Sequence, residues 1–324
     1  YLAGYPNTGA CYIDDKNVAH NFGLSDFTHN YLKKLNEEWN KNIVDKKLFI
    51  DNNDAFKAKV AAGSVVGMYM ERWEIGDPIN SLEQQKLFDK VPFAIPVLND
   101  GVKKDAYSGL TSIGTGGGIY ITKSCKDPVA AFKLLDQIAS DKIQKLQNWG
   151  IEGVDYTVKD GKMIETAAQA AKMADPTYVQ KTGVGSLWYF PHSDAGKNAK
   201  FSDGNFVSPQ DTPEYIASKY QPYEKEVLKA YHVKTLYNMF APAVKSDFGM
   251  GWDILIPDSK QDIKIAQQKT DDLKVKYMAS LVMAKPSTFE DVWTQYTKEM
   301  KSANYNVGDE YTTQQIQLRV KNWK

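Results

Sequence analysis

Arginine is nearly absent from this chain: Arg72 and Arg319 are the only two among 324 residues. Proteins that read phosphates and base edges lean on the guanidinium fork. The formal net charge is zero as well, so the basic footprint that nucleic acid demands is missing. Cysteine is just as scarce. Cys11 and Cys125 make no CxxC motif and no metal-ligand spacing. A bond between them stays open from sequence, and two small buried thiols are the plainer reading. The four histidines, His20, His29, His192 and His232, form neither HExxH nor His-x-His, which leaves a zinc site without its ligands. A GxSxG elbow is absent too. No apolar run reaches the roughly 18 residues of a membrane-spanning helix. The expectation is no metal, no cofactor and no nucleic acid.

Aromatics, in contrast, are plentiful, with 7 Trp and 19 Tyr. Apolar content of 42% and charged content of 25% are those of a soluble globular chain. The length fits two domains and a full hydrophobic core.

Local signals place the elements. Leu24, Phe27, Tyr31, Leu35 and Trp39 recur at helical spacing. A shorter helix is predicted from Asn53 to Ala62, closed by Gly63. Residues 64–70 read as a short buried strand running into Glu71, Arg72 and Trp73, and 91–98, with its two prolines, as an edge strand or extended link. Asn99-Asp100-Gly101 is a turn. The glycines at 114 and 116–118 lead into strand-like Ile119-Tyr120-Ile121 rather than a helix, so they do not make a phosphate loop. Asp127-Pro128 starts a helix whose predicted buried stripe is Ala131, Leu134, Leu135, Ile138 and Ala139. Asp160-Gly161 turns a hairpin, and Thr212-Pro213 opens another helix that Pro222 interrupts. Ser287 and Glu290 fit a capping box. Strand-like runs alternating with helices predict an α/β architecture with a helix-rich C-terminal third.

Candidate chemistry centres on residues 71–77. Glu71, Glu74 and Asp77 could supply a carboxylate pair, but a solvated charged loop explains them as well. Trp73 follows the predicted strand, where open α/β sheets bind ligands. Its indole could stack on a sugar face, with Glu71, Arg72 and Asp77 bonding hydroxyls; alternatively Trp73 is core. Arg72 could grip an anionic sugar with two bonds, or pair with a neighbouring acid. Trp188 and Tyr189, in the long polar excursion 183–212, form a second aromatic platform or pin their own loop. Tyr107 reaches a ligand or packs a hinge, and Trp252 is equally open. In Gln147-Asn148-Trp149-Gly150-Ile151-Glu152, Trp149 reads as core, and Glu152 braces the loop or accepts a hydroxyl.

Four stretches carry a family likeness: "YLKKLNEEWNKNIVDKKLF" with "DAFKAKVAAGSVVGMYMERW"; "GGGIYITKSCKDPVAAFKLLDQIAS"; "NWGIEGVDYTVKDGK"; and "FEDVWTQYTKEMKSANY" with "QQIQLRVKNW". Together they resemble the extracellular solute-binding proteins (family 1 type) of ABC sugar importers, in the aldouronate-transport lipoprotein branch. The third stretch is the most specific, being similar to that branch's Gly-Ile-Glu-Gly-x-x-Tyr pattern.

The resemblance implies a two-lobed, periplasmic-binding-protein-like clamp of type II that is incomplete here, because family members are much longer. Residues 1–103 would belong to the second lobe and 104–182 to the first, with 183–324 an aromatic-rich loop and helical region returning across both. The implied function is extracytoplasmic binding of an oligosaccharide and delivery to the permease subunits of a membrane transporter, without catalysis. A maltose-binding member of the wider family stacks sugar on a Trp after the corresponding strand, which makes Trp73 the first-choice ligand residue. A Gram-positive cell-surface location, with a lipid anchor in the earlier part of the protein, is implied as well. The rival expectations are a glycan-acting hydrolase and a surface glycan-binding or adhesion module.

Overall fold

The computed structural model describes residues 3–5, 11–107, 110–111, 119–173, 175–184, 199–242, 244–245 and 254–322. By their contacts these form two units, Tyr1–Gly116 with Glu226–Lys324, and Gly117–Lys225.

The first unit is built on helices. Asp26–Asn40 starts at Ser25, whose hydroxyl accepts the Thr28 amide at 3.2 Å, the usual way to satisfy a first-turn donor. The later helices are Gln261–Met283, Phe289–Ser302 and Asn306–Asn322. Leu32, Tyr277, Leu281, Val282, Phe289, Tyr296 and Met300 make the core shared by Asp26–Asn40, Gln261–Met283 and Phe289–Ser302. Leu32 stands one turn from the Leu35 that the periodicity highlights. Buried Asn36 adds a polar contact: its amide donates to the carbonyls of Leu281 and Val282 at 3.0 Å and Ala284 at 2.7 Å. Those carbonyls lie at the end of a helix, where intrahelical donors run out. The Ala284 amide also reaches the Leu281 carbonyl at 3.4 Å and Asn40 the Ala284 carbonyl at 3.1 Å, so side chains of one helix close another and lock the two together. A small antiparallel pair, Cys11–Ile13 with Ala19–Asn21, is tied to the last helix by the Ala19 amide donating to Thr313 Oγ1 at 2.9 Å.

Two expectations fail in this unit. Residues 64–70 pair with no strand among the described residues, and Val66 and Tyr69 are exposed. A short apolar run becomes a strand only where a neighbouring chain supplies backbone partners. The expected capping box is also not made. Thr288 is the cap, without a side-chain bond, and Glu290 instead holds Lys33 at 2.8 Å and His29 at 3.0 Å on another helix.

The second unit carries the hairpin Thr157–Lys159 with Lys162–Ile164. Asp160 and Gly161 both have positive φ, 51° and 74°, as the two-residue hairpin turn requires. Trp149 is fully buried with Tyr156, Met163, Phe201 and Val207, and its indole N–H donates to the Phe206 carbonyl at 3.0 Å. Gly150 is needed for close approach: at φ +85° an added Cβ would lie 2.5 Å from Asp155. Asp155 is buried and accepts from the Ile151 amide (2.9 Å), Lys172 (2.9 Å) and the Tyr178 hydroxyl (2.5 Å). Burial alone would raise its pKa; the bonds from Tyr178, Ile151 and Lys172 outweigh it and hold the carboxyl below its ordinary value.

Helix Pro128–Ile138 begins where expected, with Asp127 accepting the Ala130 amide at 2.9 Å. Its predicted stripe is not buried. Leu134 and Ala139 are exposed, while Ala131, Leu135 and Ile138 are half-buried. Residues 119–121 form no strand with any described residue.

Candidate functional site

Residues 71–77 lie on a tight turn that opens a helix. Arg72–Ile75 is one 3-10 turn, closed by the Glu74 amide donating to the Glu71 carbonyl at 3.0 Å. Gly76–Gln84 follows, burying Pro78, Ile79 and Leu82. Ile75 is the anchor, at 4% exposure. With Ile75 turned inward, Glu71, Arg72, Trp73 and Asp77 all face solvent. Trp73 is 78% exposed, which rules out its reading as core. An indole left in water forgoes ~1.5–3 kcal/mol of burial, on the scale of a large apolar side chain.

Tyr107 belongs to a neighbouring aromatic group in the same unit. The Asp105 carboxylate accepts the Tyr107 amide at 3.2 Å and the Ala241 amide at 2.8 Å. It thereby pins two stretches far apart in sequence, which continue as the parallel pair Leu110–Thr111 with Val244–Lys245. Tyr107 and Phe240 then meet edge to face, centroids 5.5 Å apart, and Tyr69 stands 6.2 Å from Tyr107 on its other side. The Tyr107 hydroxyl donates to the Val97 carbonyl at 3.3 Å. Burial pushes its pKa up, so the phenol remains a neutral donor at pH 7. Sequence reasoning missed Tyr69, Phe240 and Asp105. Asp105 two residues before Tyr107 is a local signal, since Asp side chains bond the backbone two residues on; nothing in sequence pairs it with residue 241.

Glu152 lies in the other unit, with its side chain exposed. The buried acid bracing that loop is Asp155. Trp188, Tyr189 and Trp252 fall outside the described residues, as do the glycines 114 and 116–118. Among the described residues no group of three or more His, Cys, Asp or Glu could hold a metal, and no helix is long and apolar enough to cross a membrane.

Searches with the sequence match no family model and no curated protein. The structure does find similar folds. An HMO-binding, ABC-transporter-associated solute-binding protein from Bifidobacterium longum infantis superposes with a TM-score of 0.52 at 13% identity, over 97% of this chain and 57% of that one. The alginate-binding protein AlgQ2, solved without calcium ion, gives 0.45 at 15% identity, over 98% and 59%. The chain therefore spans less than two thirds of the length of either solved protein. At such identities the likeness concerns the fold alone: this chain has a periplasmic-binding-protein-type α/β fold, rich in helix and with few strands among its described residues.

Proposed function

We propose that this chain binds a carbohydrate, an oligosaccharide, outside the cytoplasm and passes it to the permease of an ABC importer. The observation that carries this reading is Trp73, exposed on a turn fixed by Ile75 and flanked by Glu71, Arg72 and Asp77. An indole face matches the C–H face of a pyranose, and the charged neighbours can bond its hydroxyls. Tyr107, with Tyr69 and Phe240, is a second proposed aromatic contact of the same unit; Trp188, Tyr189 and Glu152 are separate proposed ligand residues. The Bifidobacterium protein with the same fold is described as HMO-binding and ABC-transporter-associated, which agrees with this role. Within it, residues 1–103 and 104–182 serve the second and first lobes, 183–324 returns across them, and the protein is lipid-anchored on a Gram-positive surface. The chain makes and breaks no bonds.

Thermal shift against an oligosaccharide panel tests the reading, since a ligand that binds only the folded form raises Tm. Saturable stabilisation without new reducing ends is expected. Product release would make it a hydrolase, and a shift with a different solute class alone would remove the sugar. Comparing neutral with uronic oligosaccharides tests Arg72: a preference for the uronic one is expected if the guanidinium grips a carboxylate, and equal affinity removes that role.

A further inference from the structure

Residues 119–138 of the second unit break the usual order of an α/β lobe. The stretch begins with Ile119-Tyr120-Ile121-Thr122, β-branched and aromatic residues of the kind that build strands, yet it pairs with no described strand, and Ile119 and Tyr120 are 51% and 73% exposed. Helix Pro128–Ile138 follows, apolar on most of its circumference, and across 119–138 no side chain is buried. Val129, Phe132 and Leu134 are each more than half exposed. Val129 and Phe132 are one turn apart and share a face, while Leu134 lies on another. A helix with so wide an apolar face ordinarily buries it, and a strand-forming stretch followed by such a helix is the sequence of a βα unit, which packs on a sheet.

The shared fold indicates what covers it. This chain matches over 97% of its own length but only 57% of the solved protein's, so a large part of that fold has no counterpart in residues 1–324.

We infer that residues 119–138 are the docking surface for further polypeptide of the same natural chain, outside residues 1–324, which lays at least one β-strand beside 119–122 and apolar surface over Val129 and Phe132 on one face of the helix and Leu134 on the other. This rests on the fold and is independent of the sugar reading. The extended stretch 119–122 supplies the register, and the helix supplies the apolar area.

Hydrogen exchange of the natural full-length protein tests this. The amides of 119–122 and 128–138 are expected to exchange on the scale of those in Phe289–Ser302, roughly 100-fold or more slower than in an open segment. Phe132→Asp in the same protein should lose protection in 119–138 and gain fluorescence of the apolar dye ANS, with protection of Phe289–Ser302 retained. Rapid exchange of 119–138 in the natural protein would overturn the inference. So would protection that appears only as protein concentration rises, which marks a second copy as the cover, or a natural protein that is these 324 residues alone.

Discussion

Helix Phe289–Ser302 and helix Pro128–Ile138 both carry apolar residues at helical spacing, yet the first buries Phe289, Tyr296 and Met300 and the second buries nothing. The second is the more apolar in composition. What separates them is company: Phe289–Ser302 lies against Asp26–Asn40 and Gln261–Met283, whose Leu32 and Leu281 meet it in one core. Helical pattern tells which side chains want to leave water. It does not tell whether a neighbour is there to receive them.

Substitution at the two phenylalanines should give the widest separation. Phe289→Ala, at a site 2% exposed, is expected to cost about 3–5 kcal/mol. Phe132→Ala in the 324-residue chain is expected to cost no more than about 0.5 kcal/mol, as an exposed substitution does. Denaturant midpoints measure both. If the cost at 132 climbs toward that at 289 only in the natural protein, the cover proposed for residues 119–138 is present there.

The buried amide comes next. Asn36→Ala removes the buried donor shared by the carbonyls of Leu281, Val282 and Ala284, of which Leu281 keeps the Ala284 amide and Ala284 keeps Asn40, a loss of about 1–3 kcal/mol in the same denaturation experiment. An unchanged midpoint would show that water replaces the amide and that Asn36 does not join the two helices.

A smaller effect is expected from pH. Asp309 opens the last helix, and burial lifts its carboxyl to about 6 despite the Asn21 backbone bond and the nearby Lys274 and His20. Because the folded pKa is above the unfolded one, the folded state holds the proton more tightly, and stability falls as pH rises from about 4 to 6. Partial exposure leaves roughly 1 kcal/mol of this. Asp309→Asn should flatten that slope; an unchanged slope would assign it to other groups.

Features set by a few consecutive residues were legible in the sequence. The Asp127-Pro128 helix start and the Asp160-Gly161 hairpin are both observed, because each is fixed by backbone donors and φ angles within four residues. The failures share another cause. Residues 64–70 lack a strand partner among the described residues, and Glu290 left its capping box for Lys33 on a helix more than 250 positions away. Of the candidate site, the exposure of Trp73 follows from Ile75 taking the buried position of the turn, which a strand ending at residue 70 would not have required. Tyr107 was legible as an aromatic near the expected lobe boundary at 103–104; its contacts with Phe240 and Tyr69 were not, since they depend on Asp105 reaching Ala241.

The least effect on stability is expected at Trp73, the residue proposed to carry ligand binding. Trp73→Ala should shift the midpoint by no more than about 0.5 kcal/mol, because 78% of the side chain is already in water. Calorimetric titration of an oligosaccharide panel into the natural protein and its Trp73→Ala variant tests the sugar-binding account most directly. The account predicts saturable binding of at least one oligosaccharide by the parent and a loss of roughly 30-fold or more in the variant, the scale of a binding hot spot. Equal affinity of the two proteins for that oligosaccharide, or binding of no glycan by the parent, would contradict it.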